Sequence, residues 1–196
     1  MPDGRYLTVA DWKLWARDKV QVDDDIIGAA IQRAEQHLDN ACSRRFEVAG
    51  AASERVFAPR SPSTKVLVID DCTSITSIVE NGVTLDPSVY QAEPLNNLSP
   101  GGEMVPYSRV RRLSGCWYYD RGKATITGNA PWGWLAIPFP IVEACKIVTK
   151  ATLEVRDARF GLAAILENGI GISPREVTAV REAISEYSGP KSVMVA

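Results

Sequence analysis

One stretch limits what this chain can fold into more than any other: Thr125 to Gly161, TITGNAPWGWLAIPFPIVEACKIVTKATLEVRDARFG. It opens as a strand, because Thr125, Ile126 and Thr127 are β-branched. Gly128 and Asn129 are expected to break that strand, and Pro131, Trp132, Gly133 and Trp134 form a tight aromatic corner. Pro138 and Pro140 then start a helix, since proline in a first turn forfeits no hydrogen bond. Ile141, Ala144, Cys145, Val148, Ala151, Thr152 and Val155 recur at helical spacing. Val142, Ile147, Thr149 and Leu153 widen the apolar face past half the circumference. The polar strip is narrow: Glu143, Lys146, Lys150, Glu154 and Asp157, with Lys150 and Glu154 one turn apart. A helix this apolar has to be covered on several sides. Two readings stay open, the central helix of an ordinary core and a helix that also packs against a neighbouring subunit.

Two helices are expected upstream. Thr8 is a good N-cap, with Asp11 in the third place of a capping box and Val9, Trp12, Trp15 and Ala16 as the apolar face. That helix should fray near Asp18 and Lys19. Asp23, Asp24 and Asp25 open the second helix, where carboxylates cap free N–H groups and meet the positive end of the dipole. Ile27, Ala30, Ile31, Ala34, Leu38, Ala41 and Cys42 form its stripe, with Gln32, Arg33, Glu35, Gln36, Asp39 and Asn40 opposite. His37, the single histidine, flanks the stripe as a boundary residue.

From about Arg45 the pattern alternates. Arg55 to Ala58, Lys65 to Ile69, Thr76 to Glu80, Val89 to Ala92 and Lys123 to Thr127 read as strands. Val105 to Leu113 and Gly115 to Tyr119 read as a mutually paired couple. Ser77 to Leu85 is a hairpin, because Asn81-Gly82 supplies the two positive φ angles of a tight primed turn. Leu95 to Gly102 is a polar loop. Without βαβ alternation, a parallel nucleotide-binding sheet is not expected. After the long helix, Leu162 to Ile172 is too apolar for a free linker. Ser173-Pro174-Arg175-Glu176 starts a last helix with Val177, Val180, Ile184 and Tyr187 inward, and Gly189-Pro190 ends it. The chain thus reads as an α+β protein, mainly a bundle of about four helices, with an antiparallel β module inserted between helices 2 and 3. One domain covers 1–188, the insertion about 45–128, and 189–196 is a tail.

The 196 residues carry a net charge of −2, which gives no basic signature for nucleic acid. No apolar run is long enough to span a membrane, and the N-terminus lacks the charged-then-apolar plan of a signal peptide. Cys42, Cys72, Cys116 and Cys145 are too widely spaced for a zinc site and read as reduced thiols of a cytosolic setting. No phosphate-cradling glycine loop or HExxH pattern occurs, and any catalytic triad would have to use His37. No catalytic residue, metal or cofactor is therefore assigned, and the chain is not expected to be an enzyme. Arg109, Arg111 and Arg112, followed by Trp117, Tyr118 and Tyr119, mix basic and aromatic types as nucleic-acid surfaces do. They fit a charged strand edge protected from aggregation, or a DNA-channel or partner-facing surface.

The order of helices, β insertion, Trp132-Gly133-Trp134 corner, proline-started long helix, linker and final helix resembles the head-to-tail adaptor (connector) proteins of tailed bacteriophages. The hairpin Ile78-Val79-Glu80-Asn81-Gly82-Val83-Thr84-Leu85-Asp86 and the corner Trp132 to Pro138 carry the likeness, with Leu135 where that family commonly has proline. The resemblance implies a structural virion protein that forms a ring, typically a dodecamer, beneath the portal and connects the DNA-filled head to the tail. It implies a stopper or tail-completion protein below the ring, and double-stranded DNA passing through without sequence specificity. The setting would be the head–tail junction of the virion, and the host cytoplasm during assembly. It nominates Tyr187, Gly189, Pro190, Lys191, Val193, Met194 and Val195 for docking on the portal. Ile147, Leu162, Ile165, Leu166, Ile170 and Ile172 could supply the head-to-tail subunit interface that a ring requires. Two other readings remain: another neck protein such as a stopper, and a small helix–turn–helix DNA-binding protein. The acidic groups Glu35 and Asp39 on the second helix argue against the latter, because they repel phosphate.

Overall fold

The computed structural model describes residues 4–16, 22–99, 102–159 and 174–189. They contain four helices, α1 (Val9–Ala16), α2 (Asp24–Cys42), α3 (Phe139–Arg159) and α4 (Pro174–Tyr187). They also contain seven strands: β1 (Ser53–Phe57), β2 (Val66–Cys72), β3 (Ser77–Glu80), β4 (Val83–Thr84), β5 (Tyr90–Glu93), β6 (Tyr107–Arg112) and β7 (Ile126–Ala130). The fold is α+β, and the β module lies between α2 and α3 in the chain, as expected. The chain divides into two compact units, Met1–Phe46 with Ile137–Ala196, and Glu47–Ala136.

In the helical unit α2 packs on α3, α4 packs on both, and α1 packs on α2. Helices α2 and α4 both pack against α3 inside its own unit. Ile141, Ala144, Cys145, Ile147, Thr149 and Leu153 are buried. Pro138 stands just before its first turn and accepts from the Ile141 and Val142 N–H groups at 3.0 and 3.2 Å. The stripe of α2 is buried as its periodicity predicts, with two exceptions: Ala41 is exposed, and Glu35 is inside. The Thr8 cap forms, its Oγ1 accepting from the Asp11 N–H at 3.0 Å and donating to the Asp11 carboxylate. Trp12 is 1% exposed and its Nε1 donates to the Lys146 carbonyl at 3.3 Å. The fray expected near Asp18 lies outside the described residues. Asp23 makes no side-chain cap on α2, and Asp24 pairs instead with Lys13 of α1. Lys150 reaches across to Glu176 of α4 at 3.1 Å rather than along its own helix to Glu154. Ala183 and Tyr187 are the buried members of α4, whereas Val177, expected inward, is exposed.

The β unit holds two antiparallel sheets, one in the order β1-β7-β3-β4 and one in the order β2-β6-β5. Both line one core: Leu67 and Ile69 of β2 and Val110 of β6 meet Ile78 of β3 and Ile126 and Ala130 of β7, with Trp117 and Trp132 between. The break expected at Gly128 does not occur, and β7 runs through to Ala130 as a central strand between β1 and β3. Glycine is there for room: a Cβ would lie 3.3 Å from Trp132 Cη2 and 3.4 Å from Phe57 Cε2. The pairing of 105–113 with 115–119 does not occur either. Strand β6 is taken on both sides by β2 and β5. Residues 115–119 form a loop pinned by Trp117, whose Nε1 donates to the Lys65 carbonyl at 2.9 Å.

The 77–85 hairpin forms at its expected turn, with Asn81 at φ 49° and Gly82 at φ 79°. A Cβ on Gly82 would meet nothing within 4 Å, so only backbone strain opposes it. Gly82→Ala should therefore cost about 1 kcal/mol, read as a small shift of the urea midpoint with an unchanged slope.

Candidate functional site

The aromatic corner fixes both ends of the β unit. Trp134 donates its backbone N–H to the Glu47 carbonyl and accepts from the Ala49 N–H, each at 2.8 Å. Gly133 donates to the Asp71 carbonyl at 2.7 Å, and the indole N–H groups of Trp132 and Trp134 reach the Ser53 carbonyl and the Asp71 carboxylate at 2.8 and 3.2 Å. Arg55 stacks over Trp132 at 5.1 Å. The corner is an anchoring element, with both indole N–H groups satisfied inside the unit.

The arginine-rich strand is less cationic than its sequence. Arg109 and Arg111 project from one face of β6, while Val110 and Arg112 lie on the other, as alternation requires. Arg112 pairs with Glu80 at 2.6 Å, with both side chains largely covered, and stacks over Trp117 at 5.3 Å. The second oxygen of Glu80 accepts the Tyr118 N–H. Arg111 pairs with Glu93 at 2.5 Å. Only Arg109, of these three, has no carboxylate partner among the described residues. Beyond β5, Leu98 and Met104 bridge a short ribbon on which Leu95, Leu98 and Met104 are exposed.

The residues nominated for contacts with other chains fall mostly elsewhere. Ile147 is 6% exposed and Tyr187 3%, the latter edge-on to Phe46 with ring centroids 6.3 Å apart. Gly189 donates to the Cys42 carbonyl at 2.7 Å. Leu162, Ile165, Leu166, Ile170 and Ile172 lie outside the described residues, as do Pro190, Lys191, Val193, Met194 and Val195.

One cluster escaped the sequence reading. Glu35 and Asp39, one turn apart on α2, receive the segment before α1. Tyr6 donates its backbone N–H to Glu35 Oε1 at 2.8 Å and its hydroxyl to Asp39 Oδ1. Arg5 lies 2.6 Å from Asp39 and 3.6 Å from Glu35. The Tyr6 hydroxyl in turn accepts from the Phe46 N–H at 3.1 Å. Gly4 sits so close that a Cβ would fall 2.5 Å from Glu35 Oε1. Burial, with the neighbouring Asp39 charge adding to it, raises the Glu35 pKa above the ordinary value, against the pull of the Tyr6 N–H and Arg5. Burial likewise raises the Tyr6 pKa. The signal was in the spacing: Glu35 stands four residues after Ile31 and three before Leu38, on the stripe itself. Because Glu35 and Asp39 are engaged by Arg5 and Tyr6, the repulsion argument against a helix–turn–helix loses its force.

No group of three His, Cys, Asp or Glu among the described residues could hold a metal ion, and no described helix is long and apolar enough to cross a membrane. His37 is exposed. Burial pushes the Cys42 thiol up to about 11 and those of Cys72 and Cys145 up to about 12, so all three stay protonated and unreactive at neutral pH.

The geometry defines an α+β protein whose helical unit is interrupted by a clasped antiparallel two-sheet module. No protein-family model and no curated protein matches the chain. Its fold is similar to that of chains in gene transfer agent (GTA) particles. One is from the neck of the empty GTA particle computed with C6 symmetry, 12% identical, TM-score 0.56, with 96% of this chain and 92% of that chain covered. A second is from the neck of the native GTA particle computed with C12 symmetry, 9% identical, TM-score 0.52, with 93% and 90% covered. A third is from the virion of the native GTA particle, 14% identical, TM-score 0.54, with 96% and 92% covered. At such identities the likeness is one of fold.

Proposed function

We propose that this chain is a structural protein of a virion neck, a head-to-tail adaptor that sits as a ring under the portal and joins the DNA-filled head to the tail. The observation that carries the reading is a fold likeness, covering more than nine-tenths of both chains, to proteins of a particle neck. The C6 and C12 symmetries of those neck structures support a ring of copies. In this reading the portal lies on one side, a stopper or tail-completion protein on the other, and double-stranded DNA passes through the lumen. The protein has no catalytic role, and it is present in the host cytoplasm only until assembly. The tail beyond Gly189 remains the segment nominated for the portal, with Tyr187 anchoring its base in the helical core. Pairing of Arg111 and Arg112 with carboxylates suits a wall past which DNA slides, since each neutralised cation removes a phosphate contact.

Deleting the gene from the particle-producing genome and imaging the lysate tests this. DNA-filled or leaking heads lying apart from complete, separate tails are expected. Intact infectious particles would end the reading.

A further inference from the structure

The two sheets of the β unit line one core, so their outer faces look away from each other. On the outer face of the four-stranded sheet, the register puts Val56, Thr127, Val79 and Thr84 in one row across β1, β7, β3 and β4. All four are β-branched, and Val56, on an edge strand, is 59% exposed. The next row is Glu54, Asn129 and Ser77. Glu54 is the single charge in these two rows, and it has no cationic partner among the described residues. An antiparallel sheet with one face left to water alternates to polar side chains there, and its edges are guarded by charge, lysine above all. These two rows carry neither lysine nor arginine.

The outer face of the three-stranded sheet is the complement. There Val66 and Val68 of β2 lie directly opposite Arg111 and Arg109 of β6. Arg111 folds toward β5 onto Glu93, which leaves Val66 and Val68 beside the one cation of this strand that has no carboxylate, Arg109. We infer that the β-branched face of one copy packs on the β2–β6 face of the next, with Glu54 against Arg109. This rests on the ring reading given above and assigns its subunit contact. Charge chooses the occupant: a face meeting its own kind would leave Glu54 against a surface without a cation, and such a pair would close at two copies. The two faces are different and lie on opposite sides of one module, so each copy uses both once, as a head-to-tail ring requires. Val56 and Val79 then meet Val66 and Val68 across the ~10 Å spacing of packed sheets. The Arg111–Glu93 pair stays at the rim, open to the lumen.

Cross-linking in whole particles tests the contact. Chains carrying Val56→Cys and Val68→Cys together are assembled into particles and treated with a short bismaleimide. The background is Cys116→Ser, because the other three cysteines are buried. Ladders of joined chains running beyond the pair are expected, and neither substitution alone should give them. Pairs from Val56→Cys alone would mean that this face meets its own kind, which overturns the proposal. Charge reversal is the second measurement. Glu54→Arg and Arg109→Glu should each lower the yield of functional particles on the order of tenfold, and the two together should restore most of it, because each single change opposes like charges. A double reversal no better than the singles would overturn the pairing. Unjoined chains in necks that contain the protein would overturn the contact and leave the ring standing. Necks that lack the protein would overturn the ring reading, and the contact with it.

Discussion

Gly133→Ala is expected to destabilise the β unit by about 4 kcal/mol, enough to leave much of a marginally stable chain unfolded. Two effects add. Gly133 has φ 122°, a conformation that residues with a side chain rarely adopt. An added Cβ would also lie 2.5 Å from the Glu47 carbonyl oxygen, 3.0 Å from the Ala49 nitrogen and 3.1 Å from its Cα. All three are backbone atoms, so no side chain can swing aside. Moving the 47–49 segment would break the two hydrogen bonds it exchanges with Trp134, and moving Gly133 would break its own bond to Asp71. Gly82, with φ 79° and open space around it, is the reference: the excess loss at Gly133 comes from the clash together with the less accessible φ of 122°. Urea unfolding followed by tryptophan fluorescence reads the difference, since Trp117, Trp132 and Trp134 all lie in this unit. A loss no greater than that of Gly82→Ala would mean that the strand-like segment at Glu47 yields without cost and is not a clasp.

The elements that were legible in the sequence are those whose cause is local. Asn81-Gly82 specifies its turn by the φ angles that the two residues tolerate, and the stripe on α2 by a period that needs no partner. Pro138 and Pro140 marked the start of α3 for the same reason. What depended on distant residues was not legible. Gly128 read as a breaker because glycine usually is one, yet here it makes room for rings 71 positions upstream at Phe57 and four downstream at Trp132. Residues 115–119 alternate well enough for a strand, but β6 has both edges occupied by β2 and β5, and no sequence pattern announces that. The width of the apolar face on α3 was legible, but not what covers it. Helices α2 and α4 both pack against it, so the width does not by itself call for a second subunit. Ile147 was nominated for a subunit interface from apolar character, and Tyr187 for the portal from the family resemblance. Ile147 and Tyr187 are apolar because they are core residues of the helical unit.

Glu35 is the case where charge and spacing pointed in opposite directions and spacing was the better guide. Glu35→Ala should cost about 1–3 kcal/mol, because it takes the acceptor from the Tyr6 N–H, while Arg5 keeps Asp39 at 2.6 Å. Glu35→Gln should cost less, about 1–2 kcal/mol, since its amide oxygen can still accept from Tyr6. The two variants should differ again in their response to pH. Burial, the largest cause, holds the Glu35 pKa in the folded protein above the ordinary value of 4.5. The folded chain therefore binds more protons at this site than the unfolded chain through the window above 4.5. Stability from this group is full below that value and is lost as pH rises through the folded pKa. Wild type minus Glu35→Gln, taken from urea midpoints between about pH 4.5 and 7.5, should fall with rising pH and then level off. A difference that rises with pH would mean that Arg5 and the Tyr6 N–H outweigh desolvation. The cluster would then be held together by the ionised carboxylate instead of tolerating it, and would tighten as the solution becomes less acid.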